Sequence, residues 1–126
     1  MPVRSLSSSV LKWPERETVE AAIRTWAEKM GREHDHLRRV GYFGSYARGH
    51  WGVGSDLDVL IVVSESRLPV ETRAVEWDTT ELPVPADVFV YTTGEWQTLI
   101  QEGRFGHALA RETVWVYERN PSPFKG

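Results

Sequence analysis

The apolar residues Val19, Ile23, Trp26, Ala27 and Met30 recur at helical spacing and form one stripe. Pro14, Glu15 and Glu17 suit the turn ahead of them, because proline is tolerated there and negative charge is favoured near the positive end of a helix. Gly31 reads as the stop, and the stripe predicts a helix packed on a sheet. Residues 37–43 (LRRVGYF) read as a short strand ending at Gly44. Residues 56–63 (DLDVLIVV) read as a central strand, apolar on both faces after its first positions. Residues 69–77 are expected to be helical, with Val70, Ala74 and Trp77 sharing a face. DVFVY, over 87–91, is a third strand, and Thr92 with Glu95 fits a capping box opening a helix to about Glu102. A short helix over 104–111 and a strand over 113–117 complete an expected core from about 15 to 118. Residues 1–12 read as a serine-rich lead-in and residues 120–126 as a loop tail.

Strands separated by helical patterns predict an α/β (α+β) architecture, one sheet flanked by helices. If Gly44 and Ser45, after the first strand, are to meet Asp56 and Asp58, at the start of the second, those strands run antiparallel. Asp87 opens its own strand, so it joins them only if that strand lies parallel to 56–63. The connection contains more than twenty residues, enough for the crossover. A mixed sheet is therefore expected.

The 126 residues are 40% hydrophobic and 26% charged, which excludes a disordered or fibrous chain and predicts a single domain over 1–126. A chain of this size buries roughly 65–70% of its unfolded surface, enough for a self-standing core. Fifteen basic against eighteen acidic residues give a net charge of -3, without the basic excess that direct nucleic-acid binding draws on. Twelve of the basic residues are arginine, a bias that suits polyphosphate or acidic partners and equally a general compositional preference. Cysteine is absent, which removes disulfides, thiolate metal sites and thiol nucleophiles and points to a reducing cytoplasm. No apolar run is long enough for a signal sequence or a membrane span, so a cytoplasmic protein without membrane contact is expected.

Five of the ten glycines fall between Gly41 and Gly54, marking backbone with special dihedrals. Within that stretch lies Gly44-Ser-Tyr-Ala-Arg-Gly49, followed after five residues by Ser55-Asp-Leu-Asp58. Gly44 admits close approach of a ligand, and Ser45 adds a hydroxyl, together an anion seat of phosphate size. Carboxylates two apart on a strand, Asp56 and Asp58, leave the same face and repel unless a cation compensates them; hard oxygen ligands suit Mg²⁺. Taken alone, such a pair equally describes a strand that begins with two solvated acids. Asp87 supplies a third carboxylate at a strand start, where aspartate is disfavoured on propensity. Three of the five aspartates in the chain occupy such positions. Asp78 and Glu81 are the alternatives to Asp87. Arg48 either neutralises phosphate charge or pairs with a neighbouring carboxylate to fix the loop.

Other features carry less. His34 and His36, with Glu33 and Asp35, lack zinc-site spacing and read as solvated loop residues. His50 and Trp51, inside the tight loop, are candidates for stacking on a base. The remaining tryptophans fall in helix or strand patterns and read as core.

The run GSYARGHWGVGSDLDVLIV resembles the signature of the DNA polymerase beta-like nucleotidyltransferase superfamily. It looks most like the minimal members that form toxin–antitoxin pairs with HEPN-domain proteins. The match rests on Gly44, Ser45, Ala47, Arg48, Gly49, Ser55, Asp56 and Asp58, and the ending ARETVWVYE is also similar. The resemblance implies that Asp56, Asp58 and Asp87 hold two Mg²⁺ ions, with Asp87 helping to deprotonate an acceptor hydroxyl. It implies that Gly44 and Ser45 hold the outer phosphates of ATP or another nucleoside triphosphate, with Arg48 as a candidate aid. It implies transfer of a nucleoside monophosphate, AMP from ATP, to a partner hydroxyl, expected to be a tyrosine of a separate HEPN toxin. The alternatives are a non-catalytic antitoxin that acts by binding, and transfer to a small molecule such as an aminoglycoside. Homo-oligomerisation is left open.

Overall fold

A computed structural model of the chain describes residues 14–50 and 52–119. The expected lead-in over 1–12, the base-stacking role of Trp51 and the tail over 120–126 fall outside the described residues. Helix α1 spans Arg16–Glu33, and all five residues of its stripe are buried. Gly31 does not end it. The helix runs on to Glu33, and Gly31 instead lets the Tyr117 ring lie against the helix, where a Cβ would collide with the phenol. Glycine here serves close approach rather than a turn.

Strand β1 (Leu37–Phe43) leads through the one-turn helix α2 (Ser45–Arg48) to β2 (Leu57–Val63). A 3₁₀ segment, Val70–Glu76, then precedes β3 (Ala86–Thr92), α3 (Thr93–Gln101), α4 (Gly103–Glu112) and β4 (Val114–Glu118). The sheet order is β3-β2-β1-β4. The β1–β2 pair is antiparallel and the β2–β3 pair parallel, as the chemistry required; β4 closes the far edge antiparallel to β1.

Central β2 is buried on both faces. Leu57, Val59, Ile61 and Val63 pack with the α1 stripe, while Leu60 and Val62 pack with Trp96 and Leu109 from α3 and α4. The result is a mixed sheet between two helical layers. The Thr92–Glu95 capping box is present in both directions: Glu95 N–H donates to Thr92 Oγ1 at 3.2 Å, and Thr92 N–H to Glu95 Oε1 at 2.9 Å.

The helix expected over 69–77 is present over Val70–Glu76, but as a 3₁₀ helix. Its buried residue is Arg73, while Val70 and Val75 are exposed. Three apolar side chains are too few to hold an α-helix on the sheet. Arg73 holds the segment instead through Leu68 O at 2.8 Å, Val90 O at 3.2 Å and the Glu95 carboxylate at 2.6 and 3.0 Å.

Candidate active site

The end of β1 and the start of β2 meet at Gly44. Its φ of 79° and ψ of -150° lie in a region that side chains disfavour, and a Cβ there would fall on the Asp58 Oδ2 atom. Glycine is thus required both by the turn and by the carboxylate packed against it. Ser45 follows as the first residue of α2, which Gly49 closes in the left-handed conformation at φ 79°. Further along the loop, Ser55 Oγ accepts the Gly52 N–H at 2.8 Å and Ser55 N–H returns to Gly52 O at 2.9 Å. Ser55 therefore folds the chain immediately before Asp56.

Asp58 faces Phe43 across the antiparallel pair and Asp87 across the parallel pair, so the two aspartates are direct cross-strand partners. Asp56 lies one residue ahead of β2, not within it, and is exposed. The pairing begins at Leu57, whose N–H donates to Pro85 O at 2.8 Å. Burial pushes the Asp58 carboxyl above its ordinary range; repulsion from Asp87, Asp56 and Glu112 adds to this, and Arg48 opposes it. The site thus gathers negative charge in excess of its cation.

Glu112, the last residue of α4, was not singled out from sequence. Its carboxylate accepts the Gly44 N–H at 2.7 Å and the Arg48 guanidinium at 3.0 Å through both oxygens. Arg48 therefore makes the loop-fixing ion pair, and the Gly44 N–H is already taken. Only the presence of Glu112 in ARETVWVYE could have hinted at this contact, and nothing local in that stretch points to Gly44. A cavity of about 360 Å³ opens here, lined by Phe43, Gly44, Arg48, Asp58 and one face of α4.

Asp78 and Glu81 lie elsewhere. Asp78 accepts the Thr80 N–H and hydroxyl, Glu81 pairs with Lys29 of α1 at 2.6 Å, and neither lines the cavity. His34 is not a simply solvated loop residue: its ring stacks on Trp77 at 4.1 Å, and burial lowers its pKa. His50 is exposed and outside the cavity lining. Among the described residues, no three His, Cys, Asp or Glu side chains already converge as a metal cage. The donor set nonetheless suits a hard divalent cation, because adjacent carboxylates with a raised Asp58 are what positive charge would relieve.

A mixed sheet flanked by helices, with the Gly44 turn packed on Asp58 at the strand ends, defines an α+β domain. The family profile described as "Nucleotidyltransferase domain" matches residues 23–107, and the chain belongs to that family. Its members generally use divalent metals such as Mg²⁺. Among solved structures, a protein from Sulfolobus solfataricus described as a nucleotidyltransferase is similar at a TM-score of 0.61 and 21% identity, covering 82% of this chain and 84% of that one. That likeness is one of fold. A toxin–antitoxin structure with AMP-PNP is more distant, with a TM-score of 0.46, 13% identity and coverage of 76% and 73%. It is too slight to build on. No curated protein sequence matches the chain. Among the described residues, no helix is long and apolar enough to cross a membrane.

Proposed function

We propose that this nucleotidyltransferase transfers AMP from ATP to a hydroxyl of a separate protein, a HEPN-domain toxin, and thereby acts as its antitoxin. The observation that carries the transfer chemistry is Gly44 packed on Asp58, with Asp87 directly across the parallel pair. The toxin partner rests on the resemblance of the GSYARGHWGVGSDLDVLIV run to minimal nucleotidyltransferases.

Asp56, Asp58 and Asp87 would hold two Mg²⁺ ions. When bound, such ions neutralise the triphosphate and acidify the attacking hydroxyl. Asp58, strained by burial and by its acidic neighbours, gains most from that charge. Gly44 contributes the absence of a side chain, which leaves room for the Asp58 carboxylate against the turn, while the Ser45 hydroxyl donates to the outer phosphates. Arg48, held by Glu112, keeps the turn in place. Asp87, on the exposed end of edge strand β3, accepts the proton of the incoming hydroxyl. The acceptor oxygen bonds to the α-phosphorus, the α–β bridging P–O bond breaks, and pyrophosphate leaves.

The test is incubation with Mg²⁺, candidate acceptor protein and ATP labelled at the α- or the γ-phosphate. Protein labelled only from the α-position, and lost in Asp58→Asn, is the expected result. Label from the γ-position alone would mean phosphoryl transfer and overturn the mechanism. A stable, unlabelled complex that still neutralises the toxin would make the chain a binding antitoxin instead.

A further inference from the structure

The α4 residues that line the cavity are Phe105, Ala108, Leu109 and Glu112, the spacing of one helix face. Glu112 anchors one end of that face on Gly44 and Arg48. Phe105 lies seven residues earlier, roughly 10 Å along the axis at the rise of an α-helix. One end of the cavity is therefore the Gly44–Asp58 turn, and the other is aromatic. Phe105 is 60% exposed, unusual for a phenylalanine whose neighbours Gly106 and Leu109 are buried. Phe43, the cross-strand partner of Asp58, adds a second ring, backed by Phe89 at 5.4 Å and 58°.

The polar side chains of the lining are already committed. Arg48 and Glu112 bind one another and Gly44, and Asp58 belongs to the aspartate group. What remains of the described lining is Phe43, Phe105, Ala108 and Leu109, which offer flat or apolar surface and no side-chain donor or acceptor. Such a surface suits a π-face, and its distance from the turn is that of a base from its phosphates.

We infer that the nucleobase stacks on Phe105, with Phe43 and Leu109 as walls, and is selected by ring area rather than by its hydrogen-bonding edge. This rests on the nucleotide reading of the site given above. The ligand class is a purine nucleoside triphosphate, adenine and guanine being held alike and pyrimidines more weakly, because stacking grows with ring area and ignores the edge.

The experiment is calorimetric titration of the full chain, in Mg²⁺, with ATP, GTP, CTP and inorganic tripolyphosphate. It is repeated for Phe105→Ala, Phe105→Trp and Val75→Ala, the last an exposed apolar residue outside the cavity. ATP and GTP are expected to bind within a few-fold of each other and more tightly than CTP. Phe105→Ala weakens both purines by roughly five- to 150-fold, the range that loss of base stacking produces. Tripolyphosphate affinity does not change, Phe105→Trp retains purine binding, and Val75→Ala matches the parent. A preference for ATP over GTP beyond tenfold, or purine binding indifferent to Phe105→Ala, overturns the inference and leaves the nucleotide reading standing. Loss of acceptor labelling with unchanged nucleotide affinity would assign Phe105 to the acceptor and also overturn it. Failure of every triphosphate to bind would sink the nucleotide reading itself.

Discussion

Gly44 shows how one residue can bind two requirements together. Its positive φ is needed for the turn out of β1, and the space a side chain would take is filled by the Asp58 carboxylate. Gly44→Ala therefore meets backbone strain and a direct clash at once. Strain of this kind costs on the order of 1–3 kcal/mol, and relief would push Asp58 off its present position. The expected outcome is a lower denaturation midpoint and loss of nucleotidyl transfer by at least two orders of magnitude, measured on the same preparation. A variant with wild-type stability and transfer would show that the turn does not set the carboxylate. Asp58 itself is legible from the Asp-x-Asp spacing. Glu112 is not, because its value comes from lying opposite Gly44, 68 positions away in the chain.

Among the elements, α3 and the 3₁₀ segment are tied through Arg73 and Glu95. Arg73 is buried, and its guanidinium holds the Glu95 carboxyl at about 2, well below the usual carboxylate range. A depressed carboxyl stabilises the fold above its unfolded pKa near 4.5 and ceases to do so as pH falls towards 2. Glu95→Gln should therefore destabilise the protein at pH 7 by about 1–2 kcal/mol, at the modest end for a charged hydrogen bond because Glu95 is partly open to solvent. The gap to the parent should narrow between pH 4.5 and 2, as followed by urea denaturation across that range. A gap independent of pH would mean that the Glu95 charge does not carry the effect. The capping box of α3 was readable as Thr92-x-x-Glu95, since both partners are local. The role of Arg73 was not, since its partners on β3 and α3 are distant in sequence and the apolar pattern around it mimics an amphipathic helix.

At the scale of the whole molecule, the site joins three strands and α4, so a ligand that bridges Asp58, Asp87 and the Gly44 turn holds together elements distant in the chain. Binding to the folded state alone stabilises by about 2.7 kcal/mol at a hundredfold excess over Kd. Mg²⁺ with ATP should therefore raise the thermal midpoint by several degrees. EDTA should abolish the shift, and Asp58→Asn should lack it. A shift that survives EDTA would separate nucleotide binding from the metal. On the proposed reading, in which the turn takes the phosphates and α4 the base, removal of metal and removal of the Phe105 ring should weaken binding independently.

The apolar strands, the α1 stripe, the capping box and the Asp-x-Asp after the glycine-rich turn were determined by the sequence, because each is a local pattern of period, propensity or turn chemistry. The mixed topology was legible too, since bringing Gly44 to Asp58 and Asp58 to Asp87 admits one strand direction for each pair. What only the tertiary structure decided are contacts between residues far apart in the chain: Glu112 on Gly44 and Arg48, Arg73 under β3, Tyr117 against Gly31, and Phe105 across from Phe43. No local pattern encodes those meetings. They follow from how the packed helices land on the sheet, and that is settled by the burial of the whole core.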